Sequence, residues 1–561
     1  MAPAIRPAPP PDVRRALPWR EFEVGLDEAA AHGRPILCLA EPPWSSAAQR
    51  LALVLGREDE TRALAESAFV PVRVDPFERP DVAARLRWAA TALTGGAGPP
   101  LLALLTHGGA PFLAYGSLWP EGRPPYPSLR SLLTSVAALY RERPAALAAE
   151  ARALEARARR GRGGRPRRGG PRDDRPAPAA GPLWSSIAPA VDPHFGGLRG
   201  LPKLPRAPLL WRLLDVAAAP PVREHVLRTL EGLQRGGTLD QLGGGFHHAA
   251  RDERWVVPHF EKLVPANAAL AAVYARAGAT FGRPDFLESA AAAAAFAGEA
   301  LDDGTMAVAA DPAYTTWTAA QVHETLDAPL LQAAGLHFGI ARDDAPQVLH
   351  RVRDLTEMAE AAGTTPDELR ARLDAAKGAL ARARARRPPP ERLRIDAPSW
   401  PAATLRWLFE AERHGVAVEH RRLEAHLTAL LDRPFDPDRG YARGVGHWLE
   451  DQVAIAAACG SAGHARPDLR DTAAQLAGVV LARYRAPDGD AVTDAPGAAG
   501  PSLDVVDHAL EAAVPALARL LRTLAEPRPG GGRGRADLAA AAARLEAGHA
   551  AAVRAAAPAA P

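Results

Sequence analysis

Between Gly243 and Asn267 the chain reads GGGFHHAARDERWVVPHFEKLVPAN, its densest concentration of polar functional groups. His247, His248, Asp252, Glu253, Arg254, Trp255, His259, Glu261 and Lys262 all fall in this one stretch. Imidazoles and carboxylates this close together supply general acids and bases, and a pair of carboxylates is what glycoside hydrolysis requires. Three successive glycines, Gly243 to Gly245, free the backbone to crowd a cavity rim. Zinc is not indicated, because HFEK at 259–262 lacks the HExxH spacing, and no cofactor is implied. The same residues would serve equally well as a buried network of ion pairs that ties helix ends together. Clustered ionisable groups mark sites only statistically, so on the sequence both readings stand.

Thiol chemistry has little to draw on. Cys38 and Cys459 are the two cysteines, far apart in the chain, which excludes a disulfide framework and a cysteine-based zinc site. Cys38 lies inside the apolar run PILCLA, where burial raises a thiol pKa and leaves the sulfur inert. Lys and Arg number 68 against 65 Asp and Glu, a net charge of +3, so no polybasic surface calls for nucleic acid or membrane. The stretch from Met1 to Ala16 has no apolar core of a secretory signal, and the Ala-rich run from Ser289 to Ala300 is too short to cross a bilayer. The expectation is a soluble, cytoplasmic protein.

These residues need elements to position them. A tail over 1–18 precedes a block over 19–145 that alternates helical and strand periods. Arg20 to Ala31 reads as a helix, Pro35 to Ala40 as a buried strand, Arg57 to Ser67 as a helix with an acidic start, and Phe69 to Asp75 as a second strand. Asp81 to Ala92 is helical. Leu101 to Thr106 is a third strand, and Gly108-Gly109 turns it into a fourth at Pro111 to Tyr115. Ser128 to Tyr140 closes the block as an amphipathic helix, which makes it α/β. Residues 146–182 form an Arg/Gly/Pro-rich linker that cannot bury a core. Its RGG-like tract lacks interleaved aromatic residues and reads as a tether, not a nucleic-acid arm.

From 183 to 526 no convincing strand is visible and helices recur in pairs: Pro208–Val216 with Val222–Gln234, Asn267–Arg276 with Pro284–Leu301, Ala319–Gly335 with Pro366–Arg384. Ala402–Arg413 precedes His420–Asp432, Glu450–Ala458 precedes Leu469–Tyr484, and Val505–Ala525 ends the series. Thr365-Pro366-Asp367-Glu368 combines an N-cap, a proline at the first helical position and a capping-box glutamate. Such hairpins stack as a solenoid or close into a toroid, and periodicity does not choose between them. Residues 527–561 hold a Pro/Gly-rich break and a terminal Ala-rich helix from Ala536 to about Ala552.

Several segments, in order, carry a family resemblance. They are WREFEVGLDEAAAHGRPI at 19–36, FVPVRVDPFERPD at 69–81, the LTG-type segment from Leu93 to Phe112, DPHFGGLRGLPKLP at 192–205, and the glycine-led stretch at 243–267. Together they resemble the thioredoxin domain-containing family that includes spermatogenesis-associated protein 20. That resemblance implies a thioredoxin-like domain followed by an (α/α)6 toroid of the six-hairpin glycosidase and epimerase type, with Pro100 in the place of the thioredoxin cis-proline. Where the family carries a C-H-W-C-H run at a helix N-terminus, this chain has Pro42-Pro43-Trp44-Ser45-Ser46-Ala47-Ala48-Gln49, with Ser45 and Ala48 in the cysteine positions. Serine does not ionise near neutral pH and alanine offers nothing, so redox chemistry is gone, and Ser45 reads as a helix cap.

In a toroid of this kind a sugar-sized ligand would be gripped by stacking on Trp255 or Phe246 and by bonds from Asp252, His259 and Glu261. Other cleft motifs of the family are reworked: Ala266 stands in place of an acidic residue, and Ile395 to Ala402 and Leu449 to Val453 retain only fragments. The remaining candidates are His247, Asp252, Trp255, His259, Glu261, Lys262, Asp396, Trp400 and Asp451. The resemblance therefore implies a degenerate member that binds a small polyhydroxylated ligand or a protein in the toroid. The alternatives are an active carbohydrate isomerase or hydrolase, and a scaffold that binds polypeptide through the thioredoxin-like face beside Pro100.

Overall fold

The computed structural model describes residues 17–94, 98, 100–116, 118, 120–122, 127–160, 181–340, 344–444, 446–464, 466–484, 513–525 and 537–546. A mixed α/β region comes first and a helix-rich region follows.

The first region is organised by β1 (Ile36–Ala40), all five of whose residues are buried. It pairs in parallel with β2 (Val70–Val74) and antiparallel with β3 (Leu101–Leu105), and β3 pairs antiparallel with β4 (Pro111–Gly116). The strand order is β2-β1-β3-β4. Because strand side chains alternate between faces, Ile36, Cys38 and Ala40 join one core with Phe22, Val72, Leu86 and Trp88. Leu37 and Leu39 join a second with Leu51, Leu55, Phe69 and Leu133. Helices α1 (Phe22–His32), α2 (Ser46–Arg57), α3 (Asp59–Ala68), α4 (Pro80–Thr94) and α5 (Leu129–Glu142) supply those partners.

One further helix departs from the sequence reading. Over Pro144–Arg160, where the sequence suggests the start of a linker, the chain forms α6. Leu147 and Ala151 are buried, and Glu155 accepts from Arg85 Nε at 2.9 Å. Leu147, Ala151 and Leu154, spaced four and then three apart, form the stripe that docks it. The Arg/Gly-rich tract at 161–180 lies outside the described residues.

Helix starts in the second region follow their local signals. The capping box at Thr365 and Glu368 is formed, and the helix spans Pro366–Arg384. Val264–Phe281 and Pro284–Asp302 make an antiparallel hairpin; the first is apolar all round and buried on nearly every face. The expected helix Ala319–Gly335 is instead two, Ala319–Thr325 and Ala328–Phe338, because Asp327 caps a new start ahead of Pro329.

Strands are also present where none was visible in the sequence. β5 (Glu261–Leu263), β6 (Ala307–Ala309) and β7 (Glu391–Leu393) form an antiparallel sheet, and a two-residue pair, β8 (Phe435–Asp436) and β9 (Gly440–Tyr441), follows. Strands of two or three residues leave no period to detect.

The contacts divide the chain into two compact units. One draws on residues 173–394 and 407–423; the other on 9–172, 395–406 and 424–561. The α/β region thus shares a unit with two later segments of the helix-rich region.

Candidate functional site

At the thioredoxin-type position, Ser45 Oγ accepts the Ala48 backbone N–H at 3.2 Å and caps α2. Ser45 and Ala48 are buried. Cys38 is fully enclosed within β1, and burial pushes its thiol up to about 12. Cys459 is buried too and pushed to about 12 by the same cause. A thiol with such a pKa has almost no thiolate at neutral pH, and thiolate is the reactive form. Pro100 sits directly before β3 and is buried, but its peptide bond is shared with Pro99, which lies outside the described residues.

The glycine-led stretch in the other unit builds a hub around Asp240. Its Oδ1 accepts from Arg384 Nη1 at 2.8 Å and from the backbone N–H groups of Leu242 and Gly243 at 3.1 and 3.0 Å. Its Oδ2 accepts from Lys262 Nζ at 2.7 Å, and Lys262 also donates to Gly244 O at 2.7 Å. Burial works against the Asp240 charge, but Lys262 and Arg384 overcome it and hold the carboxyl well below the usual range. Lys262 is lowered, since burial outweighs its one anion. The asymmetry follows from the stoichiometry: one carboxylate faces two cations, and each cation has a share of one carboxylate.

A second knot lies beside it. Lys203 Nζ bonds Asp192 Oδ2 at 2.5 Å and Glu253 O at 2.7 Å, and sits over the Trp255 ring at 4.9 Å. Trp255 Nε1 donates to Phe195 O at 2.8 Å. The indole has no solvent exposure, and Gly197 and Gly232 press against the ring so closely that a Cβ at either would collide, while Gly236 packs as tightly on the Trp255 backbone. Trp255 therefore has no free ring face for a sugar, contrary to the stacking expectation. Phe246 is likewise stacked on Tyr274 at 5.3 Å. Asp252 folds its own loop: Oδ1 accepts from the N–H of Arg254 at 2.7 Å and Oδ2 from that of Val257 at 2.6 Å. Glu261 and Lys262 lie on β5, both buried.

Among the histidines, His247 is fully buried with neither ring nitrogen bonded, and burial, helped by Lys262, drives its pKa down to about 3. The His248 and His259 rings lie 5.5 Å apart, and His248 Nδ1 is 3.8 Å from Glu261 Oε2. Burial lowers His248 as well, against the pull of Glu261. Among the candidates of this stretch, only His259, half-buried, and Asp252, partly exposed, reach solvent to any extent.

Asp396, Trp400 and Asp451 belong to the other unit. Asp396 is exposed and pairs with Arg433 at 3.3 Å. Asp451 is wholly enclosed: Oδ1 accepts the Ser399 N–H at 3.0 Å, and Oδ2 lies 3.2 Å from Arg443 Nε. Arg443 in turn donates from Nη2 to Glu450 at 2.6 Å. Burial, with Glu450 adding to it, pushes the Asp451 carboxyl up to about 7 despite Arg443. Burial opposes the Arg443 charge, yet Glu450, Asp451 and, more weakly, Asp75 raise it overall. Asp75 follows β2, where burial raises its carboxyl while the Phe77 N–H bonds it at 2.8 Å. Phe77 meets Trp400 edge-on at 5.1 Å.

Asp240, Arg384, Arg443 and Ser399 were not among the sequence candidates. Asp192 and Lys203 lie inside the quoted 192–205 motif and could have been picked from it. Arg384 and Arg443 carry no local signal at all. Among the described residues there is no His, Cys, Asp and Glu grouping that could hold a metal ion, and no helix long and apolar enough to cross a membrane.

Residues 15–158 match the family model of a protein of unknown function, DUF255 (Thioredox_DsbH). The chain is 25% identical over 305 residues to spermatogenesis-associated protein 20 of Homo sapiens, covering 49% of this chain and 38% of that protein. It is 26% identical over 235 residues to the Mus musculus protein of the same name, covering 39% and 29%. The aligned parts thus span well under half the length of these relatives. An uncharacterized Caenorhabditis elegans protein is 32% identical over 99 residues, 16% of this chain and 14% of its own. Among solved structures, cellobiose 2-epimerase from Bacillus thermoamylovorans B4167 is similar with a TM-score of 0.38 at 9% identity, covering 65% of this chain and 82% of the enzyme.

Proposed function

We propose that this chain, a relative of spermatogenesis-associated protein 20 with a DUF255 domain over residues 15–158, acts by binding and not by thiol–disulfide exchange. Its helix-rich region would take a small polyhydroxylated ligand or a protein. One observation carries the first half: Ser45 is committed to capping α2, Ala48 fills the second cysteine position, and Cys38 is sealed in β1. Thiol exchange needs an exposed thiolate, and a serine without a positioned base does not replace it.

Carbohydrate isomerase or hydrolase chemistry through Asp252, His259, Glu261 and Asp451 would require them in one cleft. Asp252 spends both carboxylate oxygens on the backbone amides of its own loop, which counts against its acting as a catalytic acid or base. The test is insulin reduction with dithiothreitol as electron source. The unmodified chain should add nothing to the uncatalysed rate, whereas Ser45→Cys with Ala48→Cys should create a reducible pair. Insulin reduction by the unmodified chain would refute the reading. Thermal-shift screening with sugars and sugar phosphates tests the binding half; a shift abolished by His259→Ala would restore the isomerase alternative.

A further inference from the structure

Of the 68 basic residues only Lys203, Lys262 and Lys377 are lysines; all the others are arginines. Arginine stays charged almost everywhere, whereas lysine is a compact ammonium whose amine burial can free. Two of the three lysines are used as compact ties. Lys203 Nζ bonds Asp192 and the Glu253 carbonyl, Lys262 Nζ bonds Asp240 and the Gly244 carbonyl, and both side chains are buried. Lys377 is different. It lies half-buried on the helix Pro366–Arg384, and its Nζ makes no hydrogen bond or ion pair with any described residue. Asp374, nearly one turn earlier on the same helix, is exposed and does not close on it. Glu288, on the helix Pro284–Asp302, pairs with Arg370 at 3.5 Å.

Two more basic groups are brought to Lys377 by the packing. The helix Ala328–Phe338 shares a core with its helix, where Ala334 and Phe338 join Leu373, Ala376 and Leu380. At the end of Ala328–Phe338 the Val352 N–H donates to His337 O at 2.9 Å, and Gly339 packs against the Val352 side chain, which lays Arg351 on the same helix end. Arg351 is half-buried, and its Nε donates to Gln241 Oε1 at 3.2 Å, while Nη1 and Nη2 have no partner among the described residues. His337 is buried with neither ring nitrogen bonded. Burial, then Lys377 and Arg351, drive its pKa down to about 3, so the ring is neutral at pH 7. Burial and then Arg351 also lower Lys377, to about 8, with a weaker push from Arg370 and against the pull of Asp374 and Glu288. About one such amine in ten is unprotonated at pH 7, against about one in a few thousand for an ordinary lysine.

We propose that Lys377 is a nucleophilic amine that forms an imine with a small aldehyde or ketone bearing a carboxylate or phosphate, and that Arg351 holds the anionic group. An amine attacks only when unprotonated, and desolvation beside another cation is a general way to free it. The nitrogen adds to the carbonyl carbon, the carbonyl oxygen leaves as water with the two amine hydrogens, and a C=N bond remains. No electrons change hands, so no oxidant or reductant is needed. Arg351 selects the anion, because its Nη1 and Nη2 form a two-donor fork that matches carboxylate or phosphate oxygens. Neutral His337 adds no competing charge. Glu288 is taken by Arg370, and Asp285, which also faces Arg351, is taken by Arg283 at 2.8 Å.

The experiment is reductive trapping of the full chain with cyanoborohydride and glyoxylate, glycolaldehyde phosphate or uncharged glycolaldehyde, with the sites mapped by peptide mass spectrometry. Each rate is divided by that of Nα-acetyllysine with the same aldehyde, which removes the reagent's own reactivity. At pH 7.5 Lys377 should be trapped at least about tenfold faster than the free amino acid derivative, given its larger unprotonated fraction. Lys203 and Lys262 should stay unlabelled until the chain is unfolded. The normalised rate should be severalfold higher with the two anions than with glycolaldehyde, and Arg351→Met or Arg351→Gln should abolish that preference. Trapping of Lys377 no faster than Nα-acetyllysine would overturn the nucleophile. Equal normalised rates with charged and uncharged aldehydes, read on the unmodified chain, would overturn the ligand class. An anion preference that survives in both folded Arg351 variants would overturn the role of Arg351. Insulin reduction and the sugar screen read other residues, so their outcomes are independent of these.

Discussion

Asp240→Asn is the sharpest test of whether the glycine-led stretch is held by a buried ion network. Three bonds converge on Asp240 Oδ1, from Arg384, Leu242 and Gly243, and one from Lys262 reaches Oδ2. An asparagine would keep its carbonyl where the three bonds converge and place its NH2 against Lys262, a donor facing a donor. The substitution also leaves two cations with side-chain exposures of 7% and 10% and no anion between them. Removing one partner of a buried ion pair costs about 3–5 kcal/mol, and that is the expected loss in urea denaturation. Amide exchange should accelerate at Leu242 and Gly243, which donate to this carboxylate. Lys262→Met should cost less, about 1–3 kcal/mol, because Asp240 keeps Arg384 and both amides and loses one bond. Gly243→Ala should cost less than Asp240→Asn, since its methyl would meet the guanidinium end of Arg384 and displace it while leaving the Asp240 carboxylate in place. A loss below about 1 kcal/mol for Asp240→Asn, well short of the range for a broken buried pair, would refute the network and return these residues to the ligand reading.

Neither cysteine should react with Ellman's reagent in the native chain, and two thiols should appear on unfolding. Ser45→Ala should lower stability by about 1 kcal/mol through loss of the α2 cap, read from the urea midpoint. His247 is neutral in the fold with its pKa lowered to about 3, so its contribution is complete above pH 6.5 and is lost as the pH falls toward 3. His247→Phe should therefore flatten the fall in stability over that window. Asp451 behaves oppositely: its raised pKa means that the fold binds the proton more tightly, so its contribution declines as pH rises from about 4 to about 7. Asp451→Asn, which keeps the carbonyl for the Ser399 N–H, should remove that decline in denaturation midpoints measured across the range.

Local signals settled much of this protein. The continuous apolar run PILCLA fixed β1 and the burial of Cys38. Thr365, Pro366 and Glu368 fixed a helix start, and the residues at 45 and 48 excluded dithiol chemistry. These are decided by neighbours a few positions away, so they can be read along the chain. Three-residue strands escaped because they are shorter than any period that would betray them. What the polar residues do was settled only in three dimensions. The stretch at 243–267 reads as a cluster of acids and bases, but whether Lys262 is a reactive amine or a tie depends on Asp240 and on Arg384, 144 residues beyond it. Asp451 is set by Ser399, 52 residues away, and by an arginine that no motif announces. Burial and opposing charge determine whether an ionisable group is poised or locked, and both come from parts of the chain that sequence proximity does not reveal.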